Sequence, residues 1–353
     1  MTSAPKIKTA VIGFGFSAKT FHIPFILQNP HFELTAISSS RPEEVNAAFP
    51  TAQCYTTPEQ LLDESDAELV IATAPNAVHF DLACKVLKAN KHLVIEKPFV
   101  NTADEAGALI QLAQSTGLVA SVYQNRRWDG DFVTAKRLIE QGALGQVKRF
   151  ESHFDRFRPE PKVRWREQAG PGSGILYDLG PHLIDQTLQL FGMPTAVTAY
   201  TNTLRPTAQT TDFFHLTLHY DDKVAICEAS PYCSATNPRF NIQGDLAQLN
   251  ITGLDPQEAM LIDGIAPDGI DWGDLINDDT SQTATLYRQV DDQLNETDVA
   301  IQYAGYHNYF DQLAGAIRNQ GPVPVTLEQA YDGLKVIEAA LKSSADGQRI
   351  ALS

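Results

Sequence analysis

The chain has 353 residues, 43% hydrophobic and 20% charged, which is enough for two domains that each have a core. Its 43 acidic and 27 basic side chains give a formal net charge of −16, which repels phosphate backbones and anionic lipid. We therefore expect no nucleic-acid or membrane partner, and no run of about 18 apolar residues predicts a membrane-spanning helix. Cysteines 54, 84, 227 and 233 show no CxxC spacing. Because the start has no signal-peptide pattern either, we expect a cytoplasmic protein.

The first third of the chain alternates short β-branched runs with helical stretches. The predicted strands are KTAVIGFG, FELTAIS, AELVIATAP and HLVIEKP, and the predicted helices are HFDLACKVLKANK and ADEAGALIQLAQSTG. This alternation is typical of a parallel sheet with helices on both faces. We predict an α/β Rossmann domain with a doubly wound parallel sheet over residues 1–124.

From about residue 145 the pattern changes to consecutive strands. VKRFESHF, FFHLTLHY, KVAICEAS and RFNIQG show partial period-two alternation without helices between them. They predict an α+β domain with a large, mostly antiparallel, open-faced sheet over residues 125–353, with the boundary near residues 123–130. Helices are predicted around residues 306–318 and 327–343. The Asp-, Gly- and Pro-rich stretch GLDPQEAMLIDGIAPDGIDWGDL predicts loop or short irregular strands.

A glycine-rich turn follows the first predicted strand. Gly13, Gly15 and Ala18 form G-x-G-x-x-A directly after TAVI and at the opening of a helix. The first glycine permits the tight turn, the second lets the backbone approach a pyrophosphate, and the small alanine lets the helix pack close to the strand. The pattern predicts a dinucleotide-binding loop, with a plain turn in another kind of α/β protein as the alternative.

The second predicted strand ends in ISSSRPEE, which has no acidic residue at the position that would bind the ribose 2′-hydroxyl. Ser38, Ser39, Ser40 and Arg41 occupy that region instead. Hydroxyls can donate to a 2′-phosphate, and a guanidinium binds it through charge-assisted hydrogen bonds worth about 1.5–3 kcal/mol each. The stretch favours NADP. An exposed turn with a solvated arginine is the other interpretation, because Pro42 also marks a loop.

Two further stretches carry candidate catalytic groups. Lys97 in VIEKPF ends a strand of the first domain, and ligands of open α/β sheets bind at the carboxyl ends of strands. Asp178 and His182 stand four apart on one predicted helix, and therefore on one face. A carboxylate beside an imidazole suits a general acid/base near neutral pH. The structural alternatives are a solvated lysine, a helix-start aspartate and a core histidine.

Metal binding by Asp178, His182 and Asp185 ranks low, since no other His or Cys stands nearby at ligand spacing. We expect no metal. The arginines of QNRRW and FDRFRP leave two interpretations open: they face a hydroxyl-rich or anionic substrate, or they form ion pairs with neighbouring acidic residues. These arginines are Arg126, Arg127, Arg156 and Arg158.

Together these stretches resemble the glucose-fructose oxidoreductase, inositol dehydrogenase and rhizopine-catabolism family (Gfo/Idh/MocA). The resemblance covers essentially the whole chain and rests on the N-terminal GxGxxA, on TAPNAVH after a strand, on EKP and on D-x-x-x-H at the start of a mixed sheet. A closer resemblance, to bacterial NADP-dependent scyllo-inositol dehydrogenases of that family, is carried by GFSAKTFHIPFI, ISSSR, QNRRWDGDF, FESHFDRFRP, RWREQAGPGSGILYDLGPHLIDQ and GLDPQE.

The resemblance implies roles for individual residues. Lys97 would lie near the nicotinamide and the substrate hydroxyl, His182 would exchange the proton, and Asp178 would orient the substrate or the imidazole. The cofactor-binding residues would be Gly13, Gly15, Phe16, Ser17, Ala18, Ser38, Ser39, Ser40, Arg41, Thr73, Pro75, Asn76, His79, Glu96, Lys97, Arg164 and Trp165, with Glu96 at the cofactor ribose. The substrate-binding residues would be Lys97, Asn125, Arg156, Asp178 and His182. His79 facing water and Trp165 in the core are the structural alternatives.

The activity that the resemblance implies is NADP-dependent interconversion of a secondary alcohol of a cyclic polyol or sugar and its ketone, with scyllo-inositol and scyllo-inosose as the expected pair. The alternatives are a reductase of another ketosugar or aldose, and a regulator that binds NADP without turnover. The resemblance also implies a homodimer or homotetramer joined through the open face of the second-domain sheet.

Overall fold

The computed structural model of this chain describes residues 5–161, 167–235, 237–265 and 281–352. The chain divides into two compact units, which we call unit 1 and unit 2. Unit 1 comprises Met1–Asn125, Gln257–Asp274 and Gly305–Tyr331. Unit 2 comprises Arg126–Pro256, Leu275–Ala304 and Asp332–Ser353. Each unit therefore takes three separate segments of the chain.

Unit 1 is built on a parallel sheet of six strands in the order β3-β2-β1-β4-β5-β6. The strands are β1 (Ile7–Ile12), β2 (Phe32–Ser38), β3 (Gln53–Tyr55), β4 (Leu69–Ala72), β5 (His92–Ile95) and β6 (Ala120–Val122). All residues of β4 and β6 are buried, as expected for parallel strands covered on both faces. This order is that of the doubly wound Rossmann fold, which confirms the predicted fold class.

The described part of the chain contains the following α-helices, some of which begin or end at local sequence signals. They are α1 (Ile23–Gln28), α2 (Pro42–Ala48), α3 (Pro58–Glu64), α4 (His79–Lys88), α5 (Ala103–Thr116), α6 (Gly130–Glu140), α7 (Ile175–Asp178), α8 (Gly180–Phe191), α9 (Gln257–Ile262), α10 (His307–Ile317) and α11 (Leu327–Asp346). In α5, Thr102 and Glu105 form a capping box, and Gly117 ends the helix in the left-handed conformation at φ 67°. Among the described residues, no helix has both the length and the apolar composition needed to cross a membrane.

Unit 2 is built on a sheet of nine strands in the order β14-β13-β12-β11-β7-β10-β9-β8-β15. The strands are β7 (Val147–His153), β8 (Ala196–Asn202), β9 (Phe213–His219), β10 (Val224–Ala229), β11 (Phe240–Gly244), β12 (Gln248–Thr252), β13 (Thr283–Val290), β14 (Gln293–Val299) and β15 (Ile350–Ala351). The β7–β10 pair is parallel and the other neighbours are antiparallel. Side chains alternate between buried and half-buried along β9 and β10, so one face packs on the core and the other stays open.

Two local predictions need correction. Asp178 and His182 lie on two consecutive helices instead of one, because α7 ends at Asp178 and α8 begins at Gly180. Pro181 explains the break, since it has no N–H with which to continue the hydrogen-bond ladder of α7. The stretch 253–275 was predicted to be irregular, but it contains the short helix α9. Its residues from 266 onward lie outside the described part of the chain.

Candidate active site

The predicted phosphate loop connects β1 to a π-helical turn over Ala18–His22 that leads into α1. Gly13 has φ +98°, and a Cβ there would lie 2.7 Å from the hydroxyl oxygen of Thr73, so no other residue fits. A Cβ at Gly15 would meet no atom within 4 Å, so this glycine borders open space. Ala18 is fully buried. The loop therefore fits a pyrophosphate, with backbone that a ligand can approach closely and a helix packed directly behind it.

At the end of β2, Ser38 and Ser39 are buried, whereas Ser40 and Arg41 are exposed. The hydroxyl of Ser39 accepts a hydrogen bond from the Arg41 backbone N–H at 3.0 Å. The Arg41 guanidinium donates to the Phe14 carbonyl of the phosphate loop at 2.5 Å. Arg41 is thus held over the loop rather than free in solvent. A group that contacts an adenosine ribose phosphate is expected at this position over the loop.

The stretch after β4 contributes Thr73, Pro75, Asn76 and His79. The Thr73 hydroxyl donates to the Ile12 carbonyl at 3.0 Å. Pro75 is exposed and Asn76 is buried.

His79 is buried, with Nδ1 2.7 Å from the Pro98 carbonyl and Nε2 2.7 Å from the Ala74 carbonyl. Burial lowers the pKa of His79, although both carbonyls oppose that shift. The interpretation of His79 as a residue facing water is therefore wrong. Its ring instead ties the loop after β4 to the EKP turn.

Glu96 and Lys97 follow β5 in the EKP turn. The Glu96 carboxylate contacts the Ser17 hydroxyl, lies 2.9 Å from Nε2 of His22 and accepts the Lys97 backbone N–H at 3.3 Å. Burial by itself would raise the pKa of Glu96, but the hydrogen bond and charge of His22, the Ser17 hydroxyl and the Lys97 charge together lower it to about 2. Lys97 is half-buried. Glu96 therefore joins the phosphate loop to the strand end that carries the predicted catalytic lysine.

His22 is a residue that sequence reasoning missed. Its side chain is fully buried, and its ring centroid lies 4.3 Å from that of Tyr123. The available signal was a single polar residue inside the apolar stretch FHIPFI, part of a segment that carries the resemblance. A titratable side chain in an apolar run needs a buried partner, and here the partner is Glu96.

In unit 2, Asp178 lines a cleft together with Arg156 and Arg158. A third arginine of this cleft, Arg205, is paired with Glu167 at 3.2 Å and with Asp212 at 2.9 Å. His182 is buried in the first turn of α8. The cleft thus combines a carboxylate acceptor with guanidinium donors, a set of groups that can bind several hydroxyl groups.

The arginines of QNRRW and those of FDRFRP have different surroundings in the structure. Arg127 forms two hydrogen bonds to Asp185, at 2.7 and 2.8 Å, with both side chains buried. Arg126 pairs with Asp129 at 3.1 Å. For QNRRW the ion-pair interpretation therefore applies, and Asp185 is engaged by an arginine instead of being placed as a metal ligand. For FDRFRP, both arginines line the cleft.

Of the other predicted site residues, the structure describes Asn125 and Phe16. Asn125 is buried at the start of a 3-10 turn over Asn125–Trp128, and Phe16 is 56% exposed in the phosphate loop. Arg164 and Trp165 lie outside the described residues. Lys97 belongs to unit 1, whereas Asp178 and His182 belong to unit 2, and their catalytic roles stay predictions.

His153, Asp155 and Glu228 have potential ligand atoms within 4.8 Å of one another, the spacing that a metal ion requires. Within the described residues these groups already have partners. Asp155 accepts hydrogen bonds from the Ser230 backbone N–H at 2.9 Å and from Asn237 at 2.8 Å. Glu228 lies 2.5 Å from the ring of His215. The contacts describe an ion-pair network on the sheet of unit 2.

Comparison with known proteins identifies the family. Residues 7–124 match the model "Oxidoreductase family, NAD-binding Rossmann fold", and residues 136–352 match "Oxidoreductase family, C-terminal alpha/beta domain", the two domains of Gfo/Idh/MocA proteins. The chain belongs to this oxidoreductase family, which confirms the resemblance seen in the sequence. Its Rossmann unit accordingly binds a nicotinamide cofactor.

Three similar proteins cover nearly the whole chain. The uncharacterized oxidoreductase YdgJ of Escherichia coli is 40% identical over 338 residues, 96% of each chain. The scyllo-inositol 2-dehydrogenase (NADP(+)) IolW of Bacillus subtilis is 38% identical over 346 residues, 98% of this chain and 96% of that protein. The solved structure of yvaA from Bacillus subtilis is 36% identical, with a TM-score of 0.94 over 100% of both chains.

Proposed function

We propose that the protein is an NADP-dependent oxidoreductase that interconverts a secondary alcohol of a cyclic polyol or sugar and its ketone, with scyllo-inositol and scyllo-inosose as the first pair to test. The observation that carries the proposal is the unit 2 cleft, where Asp178 lies with Arg156 and Arg158. Carboxylate acceptors and guanidinium donors together suit a ligand with many hydroxyl groups. The similarity to IolW supports both the substrate class and the cofactor.

NADP is supported by the end of β2. Arg41 is held at the phosphate loop, and the serines that precede it include no acidic side chain, so a 2′-phosphate would meet hydroxyl and guanidinium donors there. This is the reason to expect NADPH as the cofactor in ketone reduction.

The chemistry divides between cofactor and protein. The nicotinamide, when bound, donates or accepts the hydride. The side chains manage one proton and one developing charge: His182 gives the proton to the substrate oxygen or takes it away, and Lys97 stabilises the alkoxide or donates directly. Asp178 orients the substrate hydroxyls or the imidazole. A correctly placed general acid/base contributes about 10²- to 10⁴-fold to the rate.

The test is NADP reduction followed by nicotinamide absorbance across a panel of polyols and sugars. We expect turnover with scyllo-inositol and a fall in kcat of about 10²- to 10⁴-fold in His182→Asn and in Lys97→Ala. An unchanged melting temperature is the control for folding, because Lys97 is also a predicted cofactor-binding residue. Nearly unchanged kcat in both variants would refute the assigned roles.

The same panel separates the alternatives. Turnover of another ketosugar or aldose, with none of scyllo-inositol, would support a reductase that acts on a different substrate. No turnover with any compound, together with tight NADPH binding, would identify a regulator. The candidate proton-transfer residues Lys97, Asp178 and His182 favour the enzyme, since a regulator needs no such set.

Assembly and location belong to the same proposal. We infer a homodimer or homotetramer joined through the open face of the unit 2 sheet, because that face carries half-buried side chains such as Ile226 on a central strand.

We place the protein in the cytoplasm, a reducing compartment, because its cysteines are all free. The expected partner is the small polyol or sugar substrate, and neither nucleic acid nor membrane fits the net charge of −16.

A further inference from the structure

Glu44, in the first turn of α2, contacts two cationic side chains next to the phosphate loop. Its carboxylate lies 3.0 and 3.2 Å from the Arg41 guanidinium and 3.4 Å from the Lys19 ammonium. Lys19 comes from the π-helical turn after the loop, and Arg41 comes from the end of β2. Two positive charges from separate elements thus converge on one carboxylate.

Phe14, the residue between the two loop glycines, brings these cations together. Its ring lies 4.2 Å from the Lys19 nitrogen and 6.0 Å from the centre of the Arg41 guanidinium. Its carbonyl accepts a hydrogen bond from the same guanidinium at 2.5 Å. Phe14 itself is buried, so it is a rigid support. The site therefore consists of two cationic side chains that pack on the buried Phe14 ring, with the Glu44 carboxylate between them.

We propose that Glu44 is a specificity-determining residue that competes with the 2′-phosphate of NADP(H) for Arg41 and Lys19. The inference rests on the proposed choice of NADP and adds two residues to it: Lys19 as a second cation for the phosphate, and Glu44 as the internal anion that the phosphate has to displace or share. Glu44 acts through the two cations, without contacting the cofactor.

The direction of the effect follows from charge. A 2′-phosphate is an anion, so a carboxylate within hydrogen-bond distance of its binding arginine repels it and occupies N–H donors. NADH has a hydroxyl at that position and gains little from the donors that Glu44 holds. Removing the Glu44 charge therefore tightens NADPH binding and leaves NADH binding unchanged. The three side chains are each 43–49% exposed, so the effect is modest.

The experiment compares Glu44→Gln with Glu43→Gln by fluorescence titration of NADPH and NADH at an ionic strength of about 0.15 M, where exposed charges more than about 8 Å apart are largely screened. Both variants remove one negative charge from the same helix turn, but no contact of Glu43 with Lys19 or Arg41 is present among the described residues. We expect Glu44→Gln to bind NADPH about three- to fivefold more tightly, with little change for Glu43→Gln and for NADH. In an Arg41→Ala/Lys19→Ala background the gain should vanish.

The outcomes separate this inference from the cofactor choice on which it rests. If wild type prefers NADPH, and Arg41→Ala removes the preference, but Glu44→Gln matches Glu43→Gln or tightens both cofactors equally, Glu44 does not compete and the inference is overturned alone. If wild type binds NADH at least as tightly as NADPH, the choice of NADP fails and the inference fails with it. Unchanged melting temperatures show that the variants are folded.

Discussion

At the scale of single residues, the contacts of Glu96 assign a structural role to the glutamate of the EKP motif. The resemblance implies a contact with the cofactor ribose, yet one carboxylate oxygen is already shared by Ser17 and His22. Glu96 therefore has a structural role that its position in the motif did not suggest, because it holds the phosphate loop against the end of β5. The ribose contact stays a prediction.

The acid sensitivity of folding should report this role. The pKa of Glu96 is lowered from 4.5 to about 2, so the carboxylate contributes stability above pH 4.5 that is lost as the pH falls toward 2. A shift of this size corresponds to on the order of 3 kcal/mol in total. We expect Glu96→Gln to lose less unfolding free energy than wild type between pH about 5 and about 3.5, measured by urea denaturation at each pH. Equal losses in wild type, Glu96→Gln and the exposed control Glu43→Gln would contradict the prediction.

At the scale of elements, α8 shows how a helix that carries a predicted catalytic residue is held in place. His182 lies in its first turn, and Asp185, one turn later, forms the buried bidentate pair with Arg127. In the same helix, Gln186 donates to the Arg126 carbonyl at 2.8 Å and accepts from Arg239 at 2.6 Å. The RRW segment therefore serves to anchor α8, and a buried pair of this kind is sensitive to loss of one partner.

Arg127→Met should therefore destabilise unit 2 strongly. Removing the guanidinium leaves the Asp185 carboxylate buried and uncompensated, which costs about 3–5 kcal/mol. The measurement is the free energy of unfolding in urea. Lys136→Met is the matched control, because Lys136 forms an exposed pair with Glu140 at 3.9 Å, and we expect a change of at most about 0.5 kcal/mol there. An additional Asp185→Leu substitution should recover part of the loss, and no recovery would argue against the buried-charge explanation.

At the scale of the whole molecule, the open face of the nine-stranded sheet is the surface to explain. Half-buried side chains of β7, β9 and β10 lie on it, including Ile226 and the ion pair of His215 with Glu228. A broad sheet face that mixes apolar and paired charged groups is typical of a surface that another copy of the chain covers. This supports the proposed homo-oligomer.

Light scattering tests the assembly directly. We expect a mass of two or four chains of 38.8 kDa for wild type and a shift toward one chain for Ile226→Arg, since an arginine on this face would be desolvated in an interface. Leu27→Arg, which changes a 54% exposed residue of unit 1, should keep the wild-type mass. A wild-type mass of one chain would rule out the oligomer.

Much of the fold could be predicted because its signals are local. Buried β-branched runs between helices predict a parallel sheet, and alternation such as FFHLTLHY predicts a strand with one covered face; both occur as predicted. The single helix predicted for Asp178 and His182 failed at Pro181, where the backbone chemistry of one residue outweighed the spacing of two others.

The sequence by itself determined the Rossmann class, the glycine loop and the family, because turn geometry and hydrophobic period depend on neighbouring residues. Only the tertiary structure decided which charges meet. Glu96 with His22, Arg127 with Asp185, and Glu44 with Lys19 are separated in the chain by 74, 58 and 25 residues. Pairing over such distances depends on how the elements pack, and the local pattern of a single sequence carries no signal for it.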